Sequence, residues 1–107
     1  MPETKKDTDQ TVAKIIYRQI GQRGMTMIGA RSHVSTHNSL RFRIGRNSKK
    51  VNYIQITLNE LDLYDIEFSQ VRVTPIPEYK TKATILNVYA DMLRNVIEEN
   101  TGMYLSL

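Results

Sequence analysis

Arg41 and Arg43 flank Phe42 in the run Ser39 to Arg46, where Leu40, Phe42 and Ile44 alternate with them. In an extended strand that alternation sends the two guanidinium groups to one face and the apolar residues to the other. The next alternating run, Asn52 to Leu58, places Tyr53 on the arginines' side, and the turn between the runs carries Arg46, Lys49 and Lys50. Cations that follow phosphates, beside an aromatic ring on which a base can stack, form the combination that holds single-stranded nucleic acid. Each phosphate contact releases counterions, so such binding weakens as salt rises. The competing reading is an ordinary solvated sheet face, because Asp65 and Glu67 alternate outward on a third run and opposite charges on neighbouring strands commonly coat such a face. The choice turns on whether the Tyr53 strand separates the acidic strand from the arginines, as a meander order requires.

The other reactive side chains form weaker patterns. His33 and His37 are four apart, a spacing that shares a metal on a helix, yet Val34, Ser35 and Thr36 between them read as loop and no nearby carboxylate completes a site. Ser35, Thr36 and Ser39 lie close by without a base held by an orienting carboxylate, so no catalytic residue is assigned. Gly21, Gly24 and Gly29 lack the strand, glycine turn and helix order of a nucleotide fingerprint and read as a helix stop, a turn and a close packing contact. Asn59, Glu60, Asp62 and Asp65 lack the spacing of a calcium loop and read as a hairpin turn. Tyr64, Tyr79, Tyr89 and Tyr104 are spread over different segments and read as packing residues. No metal and no cofactor is expected, and the chain is read as not an enzyme.

These residues need elements to position them. Residues 1–10, with Pro2, Lys5, Lys6, Asp7 and Asp9, show no apolar periodicity and are expected to form a flexible tail. Val12, Ile15, Ile16 and Ile20 then recur at helical spacing, with Thr8 or Asp9 as cap and Gly21 as left-handed stop. Met25 to Ala30 reads as a first strand and Arg31 to Asn38 as a loop. Three alternating runs follow: Ser39 to Arg46, Asn52 to Leu58, and a third with Tyr64, Ile66 and Phe68 inward that is able to continue through Val71 and Val73. Pro75 and Pro77 end this region, which leaves Thr74 to Thr84 as a loop or a poor edge strand. A second helix is expected over roughly Asn87 to Asn100, with Tyr89, Leu93, Val96 and Ile97 on one face, Met92 beside them and Gly102 as stop. The tail Met103 to Leu107 is apolar enough to dock on the body.

Composition bounds what such elements can build. A chain of 107 residues has room for one core, and neither repeat nor linker divides residues 11–107, which are read as a single domain. No apolar run reaches the length of a membrane helix, the first ten residues are polar where a signal peptide would be apolar, and cysteine is absent, so a cytoplasmic location and a fold held by packing are expected. The net charge of +4 is unevenly spread. Residues 1–50 hold eleven Lys and Arg against three Asp and Glu, whereas residues 51–107 hold four against eight. That asymmetry suits a polyanion-binding face or halves that attract one another.

The segment LRFRIGRNSKKVNYIQITLNELDLYDIEF, from Leu40 to Phe68, and the ending YADMLRNVIEENTGMYLSL resemble small proteins encoded by bacteriophages and other mobile elements of bacteria. The resemblance extends from Thr11 onward and includes the IGRN turn, the LNELDLYD stretch and the final TGMYLSL. It implies a bacterial host cell and a setting in which small non-enzymatic proteins bind nucleic acid or block host proteins, and it brings no catalytic residue, cofactor or established activity.

The expected fold is α+β, an antiparallel meander of three to five strands with the N- and C-terminal amphipathic helices packed on one face. Its expected core is Val12, Ile15, Ile16, Ile20, Leu40, Phe42, Ile44, Ile54, Ile56, Leu58, Ile66, Phe68, Leu93 and Val96. The expected function is a nucleic-acid-binding accessory protein that contacts phosphates through Arg41, Arg43, Arg46, Lys49 and Lys50 and stacks a base on Tyr53, without base-specific readout. The alternative is a protein-interaction module, a homo-oligomer or an inhibitor of a host factor, in which the acidic strand and C-terminal helix of one copy meet the basic turn of another.

Overall fold

The computed structural model describes the backbone of residues 2–73 and 75–105 and, within that range, the side chains from Thr11 onward. Five antiparallel strands lie in the order of the chain: β1 (Arg31–Ser35), β2 (Ser39–Arg43), β3 (Tyr53–Leu58), β4 (Tyr64–Arg72) and β5 (Glu78–Val88). Helices α1 (Pro2–Ile20) and α2 (Gln22–Met27) precede the sheet, while a 3-10 turn (Ala90–Met92) and α3 (Leu93–Thr101) follow it. The α+β class and the meander are as the sequence predicts. The expected tail over residues 1–10 and the caps Thr8 and Asp9 fall outside the described side chains. The described helical backbone of α1 reaches back to Pro2. No helix among the described residues is long and apolar enough to cross a membrane.

β2, β3 and β4 form because their residues alternate. Leu40, Phe42, Ile54, Ile56, Ile66 and Phe68 are buried and lie opposite one another in register, Phe42 on Ile54 and Ile54 on Phe68, Leu40 on Ile56 and Ile56 on Ile66. They join Ile16 and Ile20 of α1, Met25 of α2, and Leu93 and Ile97 of α3 in one apolar cluster. Each such side chain taken fully from water contributes about 1.5–3 kcal/mol, so this cluster supplies the main driving force for folding. α1 packs beside β1 and β2, and α3 beside β5.

Four expectations are corrected. Met25 to Ala30 is not a strand: α2 and the turn after it bury Met25 and Ile28, three residues apart, and Gly24 lies so close to the last described residues that a Cβ there would stand 3.2 Å from Leu105 Cδ2. An apolar run this short satisfies a helical turn as readily as a strand. Arg31 to Asn38 is not all loop, for β1 occupies Arg31–Ser35, with every residue exposed and hence no alternation to read. The segment after the prolines takes the edge-strand alternative but runs further than expected, since β5 is the longest strand of the sheet and reaches Val88, and the second helix accordingly starts later than Asn87. Ile15 and Tyr89 do not join the core, being 42% and 60% exposed, because α1 turns Ala13 and Ile16 inward and Tyr89 precedes the 3-10 turn.

Several junctions match the residues expected to make them. Gly21 ends α1 with φ 90°, which a side chain would disfavour. Gly102 caps α3 in the left-handed conformation, and Leu105 docks into the core. Asn59 organises the β3–β4 turn: its Oδ1 accepts from the Leu61 and Leu63 amides at 2.8 and 3.2 Å, and its Nδ2 donates to Asp65 and to Asn87 at 3.0 and 2.9 Å.

Candidate nucleic-acid interface

The strand register fixes which polar residues are neighbours on the face opposite the core. Arg41 lies across from Gln55, Gln55 from Glu67 and Glu67 from Thr84; one step along, Arg43 lies across from Tyr53, Tyr53 from Ser69 and Ser69 from Thr81. Arg41 and Glu67 are thus two strands apart, roughly 10 Å at the usual strand spacing. Gln55 stands between them in the register, and the two side chains form no ion pair.

Both carboxylates of β4 are committed elsewhere. Glu67 Oε2 accepts hydrogen bonds from the Tyr79 hydroxyl, from Ser69 at 3.1 Å and from Thr81 at 3.2 Å. Asp65 Oδ1 accepts from Asn59 Nδ2 and from the Asn87 amide, each at 3.0 Å. Among the described residues no carboxylate forms an ion pair with Arg41 or Arg43. The Nε of Arg41 is buried without an acceptor. Arg31 on β1 is the register partner of Arg43, so two like charges face each other across the β1–β2 ladder, an arrangement that is unfavourable until an anion lies between them. The sequence gives no signal for Arg31, because its strand carries no alternation.

The aromatic part is larger than the sequence indicates. Tyr53 is half-buried on this face and meets Tyr79 of β5 nearly edge-on, with ring centroids 6.4 Å apart at 73°. Burial foremost, and then the hydrogen bond to Glu67, hold the Tyr79 phenol above its ordinary 10.0. Tyr53, on the strand beside Arg43, thus contacts a second tyrosine on the far edge strand, where the alternation singles out only Tyr53.

The turn cations separate into two places. Asn47 holds the turn by donating to the carbonyls of Gly45 and Val51 and accepting from the Val51 amide at 3.1 Å. Arg46 and Lys50 line a pocket of about 400 Å³ together with Arg72 of β4, whereas Lys49 lines a different depression that includes Lys82 and Glu99. Arg41 and Arg43 line neither pocket, so the single basic band expected from the sequence is divided among three places.

His33 and His37 also part company. His33 packs its ring between Tyr17 of α1 and Phe42, with centroids 5.7 and 5.6 Å away, while His37 is exposed in the turn after β1. No group of three or more metal-ligating side chains occurs among the described residues. Comparison with family models, with curated proteins and with solved structures finds no match to this chain.

Proposed function

We propose that the protein is a non-enzymatic accessory factor that binds single-stranded nucleic acid across the polar face of its sheet. Arg31, Arg41 and Arg43 contact phosphates, Tyr53 and Tyr79 offer ring surface to bases, and the turn cations Arg46, Lys49 and Lys50 add long-range attraction. The observation that carries this reading is that Arg41 and Arg43 have no carboxylate partner among the described residues, while Asp65 and Glu67 accept hydrogen bonds from residues of β4, β5 and the β3–β4 turn. The contacts are to the backbone of the strand, so weak dependence on base sequence is expected. The resemblance of the chain to small proteins of phages and other mobile elements fits that role in a bacterial host cell. Fluorescence anisotropy with a labelled oligothymidylate over a salt series is the test. Binding that weakens linearly in log salt supports the proposal, and no binding at low salt removes it.

A second reading, self-association or capture of a host protein, draws on β5. It is an edge strand of eleven residues, and Leu86, Tyr89 and Met92 on and after it are exposed. Lys80 and Lys82 lie on that strand and guard the free edge against pairing, which ranks this reading second. Light scattering over a concentration series tests it, a strict monomer excluding the homo-oligomer.

A further inference from the structure

The pocket at the β2–β3 turn is lined by three cations, Arg46, Lys50 and Arg72, and by no carboxylate. Glu78 is the register partner of Arg72, yet it does not line the pocket and forms no ion pair among the described residues. Both asparagines of the wall are fixed. Asn52 brackets Val71, donating to its carbonyl at 2.8 Å and accepting from its amide at 2.7 Å, and Asn47 is held by Gly45 and Val51. Lys50 adopts φ 59°, a left-handed conformation uncommon for lysine, with its amide bonded to the Asn47 carbonyl at 3.2 Å. The wall of this cation-lined recess is fixed, so an anion that enters need order only the three cationic side chains.

Charge and size narrow the ligand. A phosphodiester brings one negative charge, whereas a phosphate monoester carries nearly two at neutral pH, the better match for a recess lined by three cations. A volume of about 400 Å³ exceeds what a bare phosphate fills and lies in the range of small-ligand sites. We propose that this pocket binds the terminal phosphate of a nucleoside monophosphate unit, either a free mononucleotide or the 5′ end of a strand. The choice of a nucleoside monophosphate rests on the proposed function, which draws on Arg46 and Lys50 for long-range attraction, while the phosphate contact itself is separable from the sheet face because Arg41 and Arg43 do not line the pocket.

The experiment is calorimetric titration of the full chain with adenosine 5′-monophosphate and with adenosine. A parallel anisotropy comparison uses 5′-phosphorylated and 5′-hydroxyl forms of one oligonucleotide. The monophosphate should bind and adenosine should not, and Arg72→Ala or Arg46→Ala should weaken the monophosphate about ten-fold, the loss that accompanies one charge-assisted hydrogen bond. Both arginines are exposed, so either variant should keep the wild-type circular dichroism and melting curve. If the 5′-phosphorylated strand binds more tightly and Arg72→Ala erases the difference, the source is a strand end. If only the mononucleotide responds, the source is free nucleotide. Equal binding of adenosine and its monophosphate, no response to the monophosphate at millimolar concentration, or unchanged affinity in both variants would overturn the proposal. Binding of the 5′-hydroxyl strand through Arg41 and Arg43 should persist in Arg72→Ala, so failure of the pocket and failure of the sheet face read out separately.

Discussion

Glu67 accepts a hydrogen bond from the Tyr79 hydroxyl on the adjacent strand, and the same carboxylate oxygen accepts from Ser69 and Thr81, so it is held toward the β5 side of the sheet. Arg41, on the other side of β3, keeps its positive field. The residual influence of Glu67 on a polyanion at this face is repulsive. Glu67→Gln should therefore tighten binding of a single-stranded oligonucleotide about two- to five-fold at low ionic strength, and the gain should vanish in high salt. Weaker binding in this variant would mean that Glu67 organises the site.

Tyr64 and Tyr79 make stability fall in alkali. Burial raises the phenol of each above 10.0, with Glu67 adding to the effect at Tyr79. The folded protein thus holds these protons more firmly than the unfolded chain. Their contribution is complete below the unfolded value near 10.0 and is lost as pH rises through the higher folded values. Tyr79 is 53% exposed and solvent blunts its share, so Tyr64 carries most of the effect. Denaturant midpoints measured between about pH 9 and pH 11 should decline, and Tyr64→Phe should flatten that decline more than Tyr79→Phe.

Arg94 ties the two ends of the fold together. Its guanidinium donates to the Ile20 carbonyl at the end of α1 and, at 3.2 Å, to the Leu105 carbonyl. Both acceptors are backbone carbonyls, one at the end of α1, where no intrahelical partner remains, and one in the segment after α3. Arg94→Ala should lower unfolding free energy by about 1.5–3 kcal/mol, the range for hydrogen bonds to charged groups, and Arg94→Lys should recover part of it. Urea denaturation checks this, and an unchanged midpoint in Arg94→Ala would show the interaction to be idle.

Asn52 closes the ladder where β3 begins, bonding both the amide and the carbonyl of Val71. Asn52→Ala leaves those partly buried groups without partners and should cost about 1–3 kcal/mol, measured by thermal unfolding. The same variant should weaken monophosphate binding at the pocket whose wall it forms.

The middle of the sheet is legible in the sequence for a physical reason. β2, β3 and β4 are covered by the core on one side only, so burial imposes period two on their residues and reveals which face Arg41, Arg43 and Tyr53 occupy. β1 has no buried residue and β5 almost none, so nothing in their composition separates them from loops. Those two strands are held by their ladders, and they bring Arg31 opposite Arg43 and Tyr79 beside Tyr53. Arg72 is equally hidden, since only the pairing of β3 with β4 brings it to Arg46 and Lys50. α2 is six residues long and is packed through Gly24 against Leu105, too short for helical periodicity to show.

The salt dependence of oligonucleotide binding in the Arg41→Ala, Arg43→Ala double variant tests the central claim most directly. With wild-type circular dichroism and melting behaviour as the control for folding, affinity at low salt should fall. The slope of log affinity against log salt should shrink by about 1.4, roughly 0.7 for each phosphate of a single strand that the variant no longer neutralises. An unchanged slope in a folded double variant would contradict it.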